Sequence, residues 1–96
     1  PHIGWSEVTW RRDTVLSPAE GRVADRTYYF VHSYACDPAD SDDVLATAEH
    51  GCRFVAAAGH GSVMGVQFHP EKSSAAGLDL LGRWLDAVRD RGAVAA

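Results

Sequence analysis

Three short apolar runs, separated only by glycine-containing links, constrain the fold of this chain most strongly. They span residues 44–49, 53–58 and 62–68, with links at Gly51 and at residues 59–61. Bounded runs of this length predict strands. Links this short join antiparallel neighbours, because a parallel pair needs a crossover of about a dozen residues or more. The chain is therefore predicted to contain a hairpin that a third strand extends into an antiparallel sheet.

Two further strands are predicted upstream of this sheet. Residues 7–11 alternate apolar and polar side chains, which indicates a short strand. Residues 27–34 are rich in β-branched and aromatic side chains and give the strongest strand signal in the chain. Residues 13–21 and 37–43 are expected to be loops, because the first contains Ser-Pro and ends in glycine and the second is acidic.

One helix is predicted after the last strand. The apolar positions that recur at helical spacing and form one face are Leu78, Leu81, Trp84, Leu85 and Val88. Asp79 and Arg83 are expected on the opposite side, four residues apart. Ser73 or Ser74 can cap the first turn, and Gly92 is the expected end of the helix.

Length and charge exclude several classes of function. With 96 residues the chain is one domain or part of one. Its net charge of −4 with dispersed basic residues argues against a nucleic-acid partner, and its apolar runs are too short to span a membrane. Cys36 and Cys52 are too few for a disulfide scaffold and are expected to be free, small packing residues of a cytoplasmic protein. The histidines and cysteines lack zinc-ligand spacing, so no metal site is expected.

The chemistry is predicted in residues 65–73, Gly-Val-Gln-Phe-His-Pro-Glu-Lys-Ser. Residues two apart in an extended chain point to the same side, and Pro70 favours extended backbone at its predecessor. His69 and Glu71 are therefore expected to face one way at a strand end. A carboxylate beside an imidazole orients the ring and stabilises its charged form, which is the base-and-orienter pair of nucleophilic catalysis.

A bare His-x-Glu pair is more often structural. His69 would then be a satisfied histidine at a strand end, and Glu71 would cap the following helix. The complete string, with its glycine, proline and following helix, is much more specific than the two residues alone.

The string from Gly65 to Glu71 resembles the C-terminal motif of class I, triad-type glutamine amidotransferases. That resemblance implies an α/β, flavodoxin-like fold and a Cys-His-Glu triad that needs no cofactor. His69 would be the general base and acid, and Glu71 its orienter. The family's nucleophile lies upstream in a Gly-x-Cys-x-Gly elbow, and neither Cys36 nor Cys52 has that setting. The chain alone is therefore expected to be inactive.

Within that family, residues 1–5, 29–34 and 69–73 resemble the glutaminase subunits of imidazole glycerol phosphate synthase. The resemblance implies that residues 1–96 are the C-terminal portion of a single amidotransferase domain, seen as mostly antiparallel strands plus one C-terminal helix. It implies glutamine as substrate, a (β/α)₈-barrel synthase subunit as partner and a role in histidine biosynthesis. Two alternatives remain: another triad amidotransferase, serving GMP, anthranilate or carbamoyl phosphate synthesis, or a non-catalytic remnant.

The same resemblance assigns roles beyond the catalytic pair. Ser33 and Tyr34 would hold the amino-acid end of glutamine through their backbone. Trp5, Tyr29 and Lys72 would face the synthase subunit. The simpler interpretations are strand-end packing for the first two residues, core aromatics for Trp5 and Tyr29, and a solvated charge for Lys72.

Overall fold

Six strands and one α-helix form in the residues that the computed structural model describes, 1–19 and 21–95, of which 91–95 are described as backbone only. The strands and helix are β1 (His2–Glu7), β2 (Thr9–Trp10), β3 (Thr27–His32), β4 (Val44–His50), β5 (Cys52–His60), β6 (Val63–Val66) and α1 (Ser74–Ala95). Short 3₁₀ turns cover Val23–Arg26, Ser41–Asp43 and Pro70–Lys72.

The strands form two antiparallel sheets. β1 pairs with β3, and a four-stranded sheet has the order β2-β4-β5-β6. Gly51 and Gly61, at the links after β4 and β5, have φ of 76° and 60°, which an L-residue with a side chain rarely adopts. The predicted hairpin, its third strand and the mostly antiparallel α/β architecture are confirmed.

The first predicted strand is misplaced. β1 begins at His2 and ends at Glu7, and β2 keeps only Thr9–Trp10 of the predicted residues 7–11. Val8 separates the two strands: its side chain is fully buried and its N–H donates to the Arg26 carbonyl at 2.8 Å. Pairing decides the boundary, because β1 satisfies the open edge of β3 in continuous register from His2–His32 to Glu7–Thr27.

A single hydrophobic core joins both sheets to the helix. Tyr28 and Phe30 of β3 are fully buried, and Phe68, just after β6, stacks on Tyr28 with ring centroids 4.1 Å apart. Leu80 of α1 belongs to the same cluster. The core thus lies beneath the end of β6, which fixes the strand that leads into His69.

The buried face of the helix differs from the predicted one. Ala76 and Leu80 are buried, whereas Leu78, Trp84, Leu85 and Val88 of the predicted apolar face are exposed. The reason is that the side of the helix with small residues packs closely on the preceding turn. A Cβ on Gly77 would collide with the Pro70 carbonyl. The predicted stripe therefore lies open along α1, except at Leu81, which is half-buried.

Arg83 of α1 donates from Nε and Nη2 to the Leu16 carbonyl, at 3.1 and 2.8 Å. The predicted end of the helix is wrong. The helix does not end at Gly92, since it runs to Ala95.

Both cysteines lie at the surface of the protein. Cys36 and Cys52 are both free and exposed, so the expectation that they pack inside is wrong.

Residues 13–19 and 21 are irregular, as predicted for the loop. Within the described residues, no helix has the length and apolar character needed to cross a membrane.

Candidate active site

His69 sits where the chain leaves the four-stranded sheet. Its backbone is extended, with φ −102° and ψ 96°, and its N–H donates to the Tyr29 carbonyl at 2.9 Å. The imidazole is 41% exposed. The ring is therefore anchored through its backbone and remains accessible to a reactant.

Glu71 meets that ring from a tight turn and not from the extended chain that the sequence indicated. Pro70–Lys72 form one 3₁₀ turn in which Lys72 N–H donates to the His69 carbonyl at 3.0 Å. The turn brings Glu71 Oε1 within 2.9 Å of His69 Nδ1. Proline at the first position of the turn favours this geometry, because its fixed φ suits a helical turn.

The hydrogen bond assigns different tasks to the two ring nitrogens. An ionised carboxylate only accepts hydrogen bonds, so His69 Nδ1 carries the hydrogen that Glu71 receives. In the neutral ring Nε2 is then the unprotonated nitrogen. The pair can thus accept a proton at Nε2 and stabilise the resulting imidazolium with Glu71, as a general base with its orienting carboxylate does.

Ser73 supports the turn from inside. Its side chain is fully buried, and its hydroxyl donates to the His69 carbonyl at 2.6 Å and accepts from Tyr29 N–H at 2.9 Å. The sequence predicted a helix cap at Ser73 or Ser74. The Ser73 hydroxyl instead bonds to the strand and to the site, a role that no short-range sequence pattern indicates.

Trp5 and Tyr29 form an aromatic pair beside the site. They face each other across β1 and β3 with ring centroids 5.6 Å apart in an edge-on arrangement. Trp5 is exposed and Tyr29 is half-buried, so neither is a fully buried core residue. Lys72, also exposed, follows Glu71 directly. The structure thus links Tyr29 to His69 through the backbone and places Trp5 next to Tyr29.

Ser33 and Tyr34 are not joined to the His69–Glu71 pair. Both residues are exposed beyond the end of β3, and Tyr34 is 89% exposed. The Tyr34 carbonyl accepts from His32 Nδ1 at 3.0 Å. Among the described residues, no hydrogen bond connects either residue to His69 or Glu71.

The side chains of His69 and Glu71 are 41% and 56% exposed. Clefts of about 920 Å³ and 950 Å³ occur elsewhere on the molecule, and neither is lined by His69 or Glu71. Across the described part of the chain, no three potential metal-ligating side chains come together. The site thus presents a reactant with an accessible imidazole that its hydrogen bond to Glu71 holds in one orientation.

Comparison with known proteins assigns this arrangement to a family. The family model of class I glutamine amidotransferases matches residues 7–85. The chain is 49% identical over 89 residues to the imidazole glycerol phosphate synthase subunit HisH of Cutibacterium acnes, covering 92% of this chain and 42% of that protein. It is 48% identical to HisH of Methylococcus capsulatus, covering 88% and 39%, and 45% identical to HisH of Zymomonas mobilis, covering 90% and 38%.

The three matches cover similar shares of each relative. The chain spans about two fifths of the length of the curated relatives it matches, and the matched part contains both His69 and Glu71. The family resemblance of residues 65–71 is confirmed by a match that extends over most of the sequence. The chain therefore belongs to the class I glutamine amidotransferase family.

Proposed function

We propose that this chain supplies the base half of a glutamine-hydrolysing site of the HisH type. His69 Nε2 takes the proton from a cysteine thiol that lies outside the residues matched here, and Glu71 stabilises the imidazolium. The thiolate attacks the side-chain amide of glutamine, His69 returns the proton to the leaving nitrogen, and water releases glutamate. The observation that carries the proposal is the 2.9 Å contact between His69 Nδ1 and Glu71 Oε1 at an accessible ring.

The ammonia would serve a synthase subunit. By resemblance, this partner is a (β/α)₈ barrel of histidine biosynthesis in the cytoplasm, and the two subunits form a heterodimer. We assign exposed Trp5, half-buried Tyr29 and exposed Lys72 to the face that meets this partner, because Tyr29 and Lys72 adjoin the His69–Glu71 pair and the two aromatic rings offer apolar surface that can exclude water from the ammonia. The HisH names of the relatives above favour this pathway over GMP, anthranilate or carbamoyl phosphate synthesis.

We propose that glutamine binding also uses surface outside this chain. We assign the backbone of Ser33 and Tyr34 to the amino-acid end of the substrate. Both residues are exposed, which fits a strand end that another part of the domain covers. Cys36 and Cys52 make no hydrogen bond to His69 within the described residues, and we assign the nucleophile and the oxyanion donors to another part of the domain.

A chimera tests this function. The chain would replace the segment that it matches in the Cutibacterium acnes HisH subunit, and glutamate release would be measured with the synthase partner present. We expect turnover in the chimera and none in the isolated chain. His69→Ala should lower kcat by about 10²–10⁴-fold, the usual contribution of a general base, whereas His60→Ala, a change at an exposed histidine that contacts Asp43, should leave it unchanged.

Three outcomes would contradict the proposal. The first is glutamine hydrolysis by the isolated chain, which would mean that the nucleophile lies within these 96 residues. The second is an active chimera in which His69→Ala retains full turnover. The third is a folded chimera without turnover, which would favour the non-catalytic remnant.

A further inference from the structure

Ser73 occupies a closed ring of hydrogen bonds between Tyr29 and His69. Tyr29 C=O accepts from His69 N–H at 2.9 Å, and Tyr29 N–H donates to Ser73 Oγ at 2.9 Å, which in turn donates to His69 C=O at 2.6 Å. Tyr29 and His69 are thus linked twice: once by a direct hydrogen bond and once through the Ser73 hydroxyl. Both backbone polar groups of His69 are fixed relative to β3.

We propose that Ser73 is a positioning residue for His69: its hydroxyl holds the His69 backbone at the distance from β3 at which the imidazole meets Glu71. The functional meaning of this role rests on the proposed glutaminase function, but the geometry does not. Ser73 touches no reactant in this arrangement and acts only through His69.

The position of the hydroxyl separates this role from helix capping. A capping serine accepts from a backbone N–H in the first helical turn, whereas the Ser73 hydroxyl accepts from Tyr29, 44 residues away. It is the Ser73 carbonyl that receives Gly77 N–H, at 3.1 Å. The Ser73 side chain therefore bonds to β3 and to the turn, whereas its backbone carbonyl bonds to α1.

The surroundings leave the turn little freedom. α1 packs so closely on Pro70 that position 77 has no room for a Cβ. The helix thus closes the turn on one side, and the Ser73 hydroxyl ties it to β3 on the other. Catalytic groups must be held within about 0.5 Å of productive geometry, and a misplacement of about 1 Å can reduce the rate about 10²-fold.

Removing the hydroxyl has a predictable local effect. In Ser73→Ala, Tyr29 N–H loses its acceptor inside the protein, and an unpaired buried donor is costly. The backbone must then shift to find a new partner, or water must enter. Either change moves His69 relative to β3 and weakens its hydrogen bond to Glu71.

The tautomer of the His69 ring reports this effect directly. Ring ¹⁵N chemical shifts in the chain, recorded above the titration range of the ring, distinguish Nδ1–H from Nε2–H. We expect Nδ1–H to predominate in the unmodified chain. Glu71→Ala, which removes the acceptor, should shift the equilibrium towards Nε2–H and provides the reference. Ser73→Ala should produce more than half of that shift, and Ser74→Ala, at the exposed neighbouring serine, should produce none.

A purely structural role would give a different result. If Ser73→Ala lowered the unfolding temperature but left the tautomer of the folded chain unchanged, or if Ser74→Ala had the same effect on the ring, the proposal would be overturned. Ser73→Cys, similar in size and a weaker donor, should give an intermediate shift and decides the matter if Ser73→Ala does not fold. Failure of both variants to fold would assign the hydroxyl to stability and also overturn the proposal.

The chimera separates this inference from the proposed function. There, Ser73→Ala should lower kcat by about 10²-fold at nearly unchanged KM. If every form of the chimera were inactive while the tautomer changed as expected, the glutaminase assignment would fail and the positioning role would stand. Full turnover together with an unchanged tautomer in Ser73→Ala would remove the positioning role alone.

Discussion

At the scale of single residues, His2 is a titratable side chain that folding perturbs. It is only 5% exposed, and its ring stacks on His50 with centroids 4.0 Å apart. Its nitrogens lie 3.1 Å from His32 Nε2 and 3.0 Å from Ser6 Oγ. Burial lowers the pKa of His2 below 6.5, and positive charge on His50, on His32 and at the N-terminus lowers it further.

The lowered pKa of His2 gives a pH dependence with a definite sign. The folded chain holds the His2 proton less tightly than the unfolded chain, so its contribution to stability is greatest above pH 6.5 and decreases from there down to the lowered folded-state pKa. We expect His2→Phe to reduce the loss of stability between pH 7.5 and pH 5, measured by urea unfolding. His60→Gln, at an exposed histidine, is the matched control. An unchanged pH slope in His2→Phe would contradict this assignment.

The residues of the site were partly predictable. His69 and Glu71 stand two apart around a proline in a string specific enough to indicate a pair, although the tight turn that joins them was not foreseen. The sequence predicts a cap at Ser73 or Ser74 and does not indicate the partner of the Ser73 hydroxyl, because that partner, Tyr29, is 44 residues away. A sequence pattern reports neighbours along the chain, and this contact depends on the way β3 approaches the end of β6.

At the scale of elements, the helix shows the same limit of local sequence patterns, which do not reveal tertiary contacts. Periodicity identified α1 correctly but assigned its buried side wrongly, because Leu78 and Leu85 outweigh Ala76 and Gly77 in any hydrophobic pattern. Small residues bury little surface, yet they allow the helix to approach the turn at Pro70. The hairpin was predictable because its links are local, whereas β1 was not, since its pairing partner β3 lies 20 residues further along.

Two leucines of α1 test this orientation. Leu80 is 3% exposed and Leu85 is 44% exposed. Leu80→Ala should lower the free energy of unfolding of the chain by about 2–5 kcal/mol, because it leaves a cavity in the core. Leu85→Ala should change it by no more than about 0.5 kcal/mol. Chemical denaturation of the two variants side by side provides the measurement, and equal losses would show that α1 buries its other face.

At the scale of the whole molecule, the exposed stripe of α1 fits the proposal that this chain is part of a longer amidotransferase domain. The radius of gyration of 13.4 Å exceeds the value of about 12.5 Å expected for a compact domain of this length, and large apolar side chains remain open at Ile3, Leu78 and Trp84. Exposed apolar patches mark surfaces that another partner covers. In the proposed full domain, the part that supplies the nucleophile is the natural cover for α1.

A change at Trp84 should therefore act differently in the two contexts. In the isolated chain, where this side chain is 45% exposed, Trp84→Glu should reduce self-association and dye binding without lowering the unfolding midpoint. In the chimera the same charge would be buried without a partner, and we expect a loss of about 1–3 kcal/mol. Light scattering and denaturant unfolding of both proteins make the comparison.

Arg89→Glu, a charge change at a side chain that is 77% exposed further along the helix, controls for charge in both contexts. A chimera as tolerant of Trp84→Glu as the isolated chain would mean that the outer face of α1 stays in water, and that the rest of the domain approaches His69 from another side.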